Sequence, residues 1–260
     1  MKRTLMLTIA LVLIAGTSAL AAPSADEIVT LANQASYYAG EDGRAHVKMT
    51  ITAADGGERS REFVILRKDL PHDDQKFYVY FEAPADVYKM AFLVWKNVAR
   101  EDDRWLWLPA LNLKKRIAPG DKRTSFVGSD FYYEDVSGRS LDEDRHELIE
   151  ETATRYVIRN TPKNPSSVEF SHYIVQIDKT TYLPVKAEYF DQSGSVYRVV
   201  EALEVGTVQG YPTVIKAAAR DLLAGSTTIN HFTQIEYDLG LQERIFTERF
   251  LRRAPREVTR

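Results

Sequence analysis

The sequence predicts a mainly β protein: a strongly curved antiparallel sheet, or half-open incomplete β-barrel, of about 11 strands, with a few helices closing its mouth. Three observations predict it. Apolar and polar residues alternate with period two over most of the chain. Short turns rich in Gly, Asp and Asn separate the alternating runs, so consecutive strands are hairpin-connected neighbours. Helical periodicity is confined to the two ends, with one ambiguous stretch in the middle. A meander this long must curl to cover its apolar face.

The chain opens with Lys2 and Arg3, an apolar run from Leu5 to Ala15, and the small-x-small sequence Ala19-Leu20-Ala21. Residues 1–21 therefore read as a secretory signal peptide, cleaved near Ala21 and too short to span a bilayer comfortably. Residues 22–260 read as one domain, with no shift in composition and no internal repeat. No other stretch is long and apolar enough to cross a membrane.

Ser24-Ala25-Asp26-Glu27 is a capping box, and Ile28, Leu31, Ala32 and Ala35 follow on one stripe, predicting a helix over 25–38. The period then changes. Ala45, Val47, Met49 and Ile51 mark a half-buried strand over 45–52, and Ala54-Asp55-Gly56-Gly57 turns the chain into a second over 59–67. Further strands are predicted over 76–82, 91–95 and 105–108, the last an aromatic run, Trp105-Leu106-Trp107-Leu108, stopped by Pro109. Lys114, Lys115, Arg116, Lys122 and Arg123 read as a basic, solvated connection. Residues 139–151 are highly charged and fit either a short helix or a loop. A short strand over 156–159 and long ones over 168–178, 184–191, 195–207, 212–222 and 227–238 complete the sheet. Ile245, Phe246, Phe250 and Leu251, at helical spacing, predict a short terminal helix within 243–253.

Composition narrows the function. The chain is 44% hydrophobic and 27% charged, which is ordinary for a globular protein. A net charge of −3, mildly more acidic once Lys2 and Arg3 are removed, gives no reason to expect nucleic acid. There is no cysteine, so disulfides, thiolate metal sites, Cys nucleophiles and a lipid on an N-terminal Cys are all excluded. Exported from a double-membraned bacterium, such a chain belongs in the periplasm. The five histidines show no metal-ligand spacing, and no phosphate-binding glycine loop or GxSxG elbow occurs. Ser129 lacks the strand–Ser–helix context of a nucleophile. Asp130, Glu134 and Asp135 are the best candidates for acid–base work, giving an envelope hydrolase as the enzyme alternative. The other reading has them neutralise Lys114, Lys115, Arg116, Lys122 and Arg123, and it is favoured because those charges lie so close in the chain. The expectation is no catalysis, no cofactor and no metal.

Several strands are apolar on both faces, for example Phe77, Val79 and Phe81 against Tyr78 and Tyr80. Either one face packs on helices while the other lines a cavity, or both fill a core. The candidate cavity residues are Phe63, Ile65, Phe77, Val79, Phe81, Phe92, Trp95, Trp105 and Trp107. A charge placed at Trp107 should weaken ligand uptake if that face lines the cavity, and unfold the protein if it belongs to the core.

Residues 104–136 carry a pattern: W-L-x-L-P-A-L, then K-K-R-I, then F-x-G-S-D-F-x-Y-E-D. With Gly128, Ser129, Asp130, Tyr133, Glu134 and Asp135 at its end, it resembles the outer-membrane lipoprotein-sorting protein-like family, within the LolA/LolB-like superfamily of periplasmic lipid carriers. The resemblance extends back through Pro84, Asp86, Phe92 and Trp95 and forward to Phe246-Thr247-Glu248, most of the mature chain. The chain departs from it at Tyr88-Lys89-Met90, where the family pattern has a glycine and a small residue. The resemblance implies binding of lipid or lipoprotein acyl chains in a hydrophobic barrel cavity, without catalysis. It also implies an inner-membrane RND-type exporter as a possible partner. An accessory subunit of an envelope machine that carries nothing is the alternative. Burial of a sixteen-carbon chain offers on the order of 10 kcal/mol before ordering costs, enough to hold a lipid in transit.

Overall fold

The structure, a computed structural model, describes residues 22–258; the signal peptide expected over residues 1–21 lies outside them. A 13-stranded antiparallel sheet, curved and not closed, is built from two meanders. The first runs through β1 (Asp42–Thr52), β2 (Glu58–Asp69), β3 (Gln75–Ala83), β4 (Ala91–Lys96), β5 (Asp103–Leu108) and β6 (Leu113–Ile117). The second runs through β7 (Asp144–Glu151), β8 (Arg155–Pro162), β9 (His172–Asp178), β10 (Pro184–Phe190), β11 (Val196–Val208), β12 (Tyr211–Asp221) and β13 (Ser226–Tyr237). Each strand pairs with its chain neighbour, and the two meanders join only where β1 pairs with β13, Val47 opposite Phe232. The edges are β6 and β7, and residues 118–143 connect one edge to the other.

That connection explains which face is which. Period-two strands present alternate residues to opposite faces. Phe63, Phe77, Val79, Phe81, Phe92 and Leu106 face inward and pack beneath Phe126, Phe131 and Tyr133 of the connection. Val64, Leu66, Tyr78, Leu93, Trp105 and Trp107 face outward and are covered by Leu241, Ile245, Phe246 and Leu251 of the C-terminal segment. Both faces of the first meander are therefore buried, each by a segment distant in sequence.

α1 (Ala25–Tyr37) forms as the capping box requires, with Ser24 and Glu27 bonding reciprocally. Its Ile28 and Ala32 pack on Tyr156, Ile158 and Ile177 of the second meander. Arg67 and Gln75 hold its C-terminal end: Gln75 donates to the Tyr37 carbonyl at 2.6 Å, and Arg67 donates to those of Tyr37, Ala39 and Gly40. α2 (Tyr133–Ser137) ends at Gly138, where φ is +76° and a Cβ would sit 2.7 Å from the Tyr37 ring. Only glycine allows the two helices to meet there. Among the described residues, no helix is long and apolar enough to cross a membrane.

Three expectations are corrected. Residues 113–117, read within a solvated basic connection, form edge strand β6, with Trp107 opposite Lys114. Residues 144–151, read as helix or loop, form edge strand β7. Both are edges, where exposed charge replaces the alternation that marks inner strands. The expected helix within 243–253 is a turn over Glu243–Ile245 and a short α3 (Arg249–Arg252), because docking on the sheet, not helix register, places its apolar residues. At the departure from the family pattern the turn still forms, with Lys89 at φ +65°, a conformation that favours glycine.

Candidate functional site

The inward face is not filled evenly. In the first meander it carries bulky aromatics. In the second, alanines stand among the larger side chains: Ala187 on β10, Ala202 on β11 and Ala217 on β12, beside Tyr173, Tyr189 and Phe232. Beside these alanines the sheet, α1 and the connection line an open cavity of about 500 Å³, within the range of small-molecule sites. Phe63, Ile65, Phe77 and Val79 form one wall. Val175, Ile177 and Val200 of the second meander form another, and Ala32, Ser36 and Tyr37 of α1 contribute to the lining. Phe126, Phe131 and Val136 of the connection complete it.

Of the nine residues expected to line a cavity, four do so: Phe63, Ile65, Phe77 and Val79. Phe81 and Phe92 share their face but lie fully buried under Phe126, at ring separations of 5.8 and 5.5 Å, and form its floor. Trp95, Trp105 and Trp107 are on the outward face, a correction to the expectation that they line the cavity. Trp95 stacks edge-on to Trp105 at 4.8 Å and donates its indole N–H to the Phe246 carbonyl at 2.8 Å. Sequence reasoning missed the whole contribution of the second meander, Val175, Val200, Ala217, Asn230 and Phe232 among it, and also Ala45 of β1, Tyr37 of α1 and Phe126 of the connection. The run Ala217-Ala218-Ala219 in a strand was the second meander's signal: small inward side chains leave space.

The carboxylates of the connection are consumed in holding it down. Glu134 is 2% exposed; its Oε2 accepts from Arg123 at 2.6 Å, and Lys122 and Arg139 lie 3.3 and 3.5 Å from Oε1. Burial would raise its pKa, but the three cations outweigh that and hold it below the ordinary carboxylate value. Arg123 is gripped on its other side by Glu169, at 2.8 to 3.0 Å, and stays firmly protonated. Asp130 accepts from Ser226 at 2.5 Å and Thr228 at 2.7 Å on β13, and Asp135 from Arg198 on β11 and from the Tyr132 amide at 2.6 Å. The Ser129 hydroxyl donates to the Phe126 carbonyl at 2.7 Å, and Gly128 takes φ +77°. The motif is a clasp that ties residues 121–137 to β11 and β13. An acid–base pair needs one carboxyl shifted upward, and Glu134 is shifted the other way.

The geometry has relatives. A crystal structure of a DUF1329 family protein from Desulfovibrio piger is 26% identical with a TM-score of 0.80, covering 87% of this chain and 97% of the other. One described as an outer membrane lipoprotein-sorting protein domain, from Vibrio parahaemolyticus, is 26% identical with a TM-score of 0.79, covering 88% and 98%. A family model described only as "Uncharacterized protein" matches residues 73–253. The chain belongs to the outer-membrane lipoprotein-sorting protein-like family. The fold of this family member is LolA-like: a LolA superfamily protein from Nitrosomonas europaea, 18% identical, superposes with a TM-score of 0.68 over 88% of this chain and all of the other. Among curated proteins, no sequence matches it significantly.

Proposed function

We propose that the protein is a periplasmic carrier that binds lipid or lipoprotein acyl chains in its cavity and moves them between envelope partners. The observation that carries this reading is an apolar cavity of about 500 Å³ under a clasped cover, in a chain of lipoprotein-sorting family. The lipoprotein-sorting domain from Vibrio parahaemolyticus supports it by likeness. On this reading residues 1–21 are removed near Ala21 and residues 22–260 form one lipid-binding domain. The clasped carboxylates favour binding over catalysis. An inner-membrane RND-type exporter as donor or acceptor rests on the family resemblance.

Native mass spectrometry of protein purified from membrane-containing cells tests the reading. Co-purified lipid is expected on the wild type. Ala217→Trp places an indole burying about 200 Å² where the wall is an alanine, and should displace the lipid without unfolding the sheet. A wild type with no bound lipid and no response to added phospholipid overturns it.

A further inference from the structure

The cavity's polar groups define its ligand more closely than its apolar walls do. Six charged residues line it: Arg44, Arg67, Asp135, Arg139, Lys186 and Glu201. Each has a partner within the protein. Arg44 pairs with Glu236, Asp135 with Arg198, Lys186 with Glu188 at 2.8 Å, and Glu201 with Arg220 at 2.6 Å. Arg139 bonds Asp144 and Glu143 at 2.8 and 2.5 Å, and Arg67 is taken up by the carbonyls after α1. A phosphate or carboxylate entering the cavity would find no free cation and would lose its hydration, a cost that pairing alone can offset.

Asn230 is the exception. It lies on the inward face of β13 between Thr228 and Phe232, opposite Ala217 of β12, and lines the cavity. It is 8% exposed, and its Oδ1 is buried without a hydrogen-bond partner. A ligand that packs over this side chain strips water from its amide, which is costly unless the ligand supplies a hydrogen-bonding group in return. A half-turn about the last side-chain bond exchanges the amide oxygen and nitrogen, so either atom can face the cavity. A hydroxyl, which both donates and accepts, satisfies whichever one it meets.

We infer that the part of the ligand held inside the cavity is uncharged and carries one neutral hydrogen-bonding group, a hydroxyl, that pairs with Asn230. The inference rests on the carrier reading and narrows it: any anionic headgroup stays outside, and the chain within is an oxygenated lipid, not a plain acyl chain.

The test uses the mature protein, wild type and Asn230→Leu, titrated with methyl octadecanoate and with a set of its mono-hydroxy isomers, bound lipid being read by native mass spectrometry. In the wild type at least one isomer binds about ten-fold tighter than the parent ester, the worth of one buried hydrogen bond. In Asn230→Leu that preference disappears while the parent ester binds as well or better. A melting temperature of the variant equal to or above the wild type confirms that the change is confined to the site. No preferred isomer in the wild type, or a preference that survives in the variant, overturns the inference and leaves the carrier reading standing. Failure of every ester to bind overturns both.

Discussion

Replacing Glu134 by Gln removes one negative charge from the centre of the clasp and keeps its shape. Breaking an isolated buried ion pair costs about 3–5 kcal/mol, because the surviving charge is left unpaired. Here each cation keeps a second partner: Arg123 has Glu169, Lys122 has Glu143 at 2.6 Å, and Arg139 has Asp144. The cost should therefore be lower, about 2 kcal/mol, or roughly 4–8 °C in melting temperature for a chain of this size. The pH dependence identifies the cause. The folded-state pKa of Glu134 is depressed, so its contribution is full above the unfolded carboxyl value and is lost as pH falls through the folded one. The stability gap between wild type and Glu134→Gln, measured by urea denaturation, should be constant at neutral pH and close below about pH 4.5. A gap under about 0.5 kcal/mol, or one that persists in acid, would refute the clasp. Lipid binding by the variant at neutral pH should match the wild type.

Two further outcomes follow from the outward face. Trp107→Asp buries a charge in the packing between sheet and C-terminal segment, where Trp107 is 6% exposed. It should destabilise by about 3–5 kcal/mol while the folded fraction binds lipid normally, and weakened uptake at unchanged stability would put Trp107 back on the cavity side. Asp42 is 1% exposed and accepts from the Leu239 and Leu241 amides at 2.7 and 2.5 Å. Asp42→Asn should cost about 1–3 kcal/mol and raise hydrogen exchange in residues 239–258 before the rest of the chain, which amide exchange by mass spectrometry reads directly.

The strands and the fold class were legible because period-two alternation and hairpin turns are local signals. The strand facing was not. Phe77 and Tyr78 are equally apolar neighbours on opposite faces, and what separates them is which distant segment covers each: residues 121–137 over one, 241–258 over the other. No local pattern encodes that. Size also misled. Trp105 and Trp107 looked like cavity wall because they are large, but large side chains fill space and small ones leave it, so Ala187, Ala202 and Ala217 mark the cavity better. The edge strands β6 and β7 were hidden by the charges that keep edges from pairing with other chains. The motif Gly128–Asp135 was legible as a unit, but of the five cations expected to neutralise it only Lys122 and Arg123 do; Lys114 pairs with Glu248 and Arg116 with Asp103, while Arg139 and Arg198, which complete the clasp, stood outside the stretch that drew attention.

A carrier faces a problem that a filled core does not. Left unfilled, a cavity of about 500 Å³ forgoes on the order of 10 kcal/mol of packing, comparable to the whole stability of a domain. The walls must then be held by contacts that do not involve the cavity. The two covers meet this differently. The C-terminal segment is held by apolar burial, with Tyr78 and Trp95 each donating to its backbone at 2.8 Å, and it supports the first meander from outside. The connection over the inward face sets Phe126 and Tyr133 on the aromatic floor and fixes the rest of its length with ions and hydrogen bonds: Glu134 to Arg123 and Arg139, Asp135 to Arg198, Asp130 to β13. The connection also lines the cavity, through Phe126, Asp135 and Arg139, but partners within the protein hold these side chains whether or not the space is filled. On the carrier reading, the costly clasp of buried charges is the expected companion of an apolar space that must be loaded and emptied without the fold giving way.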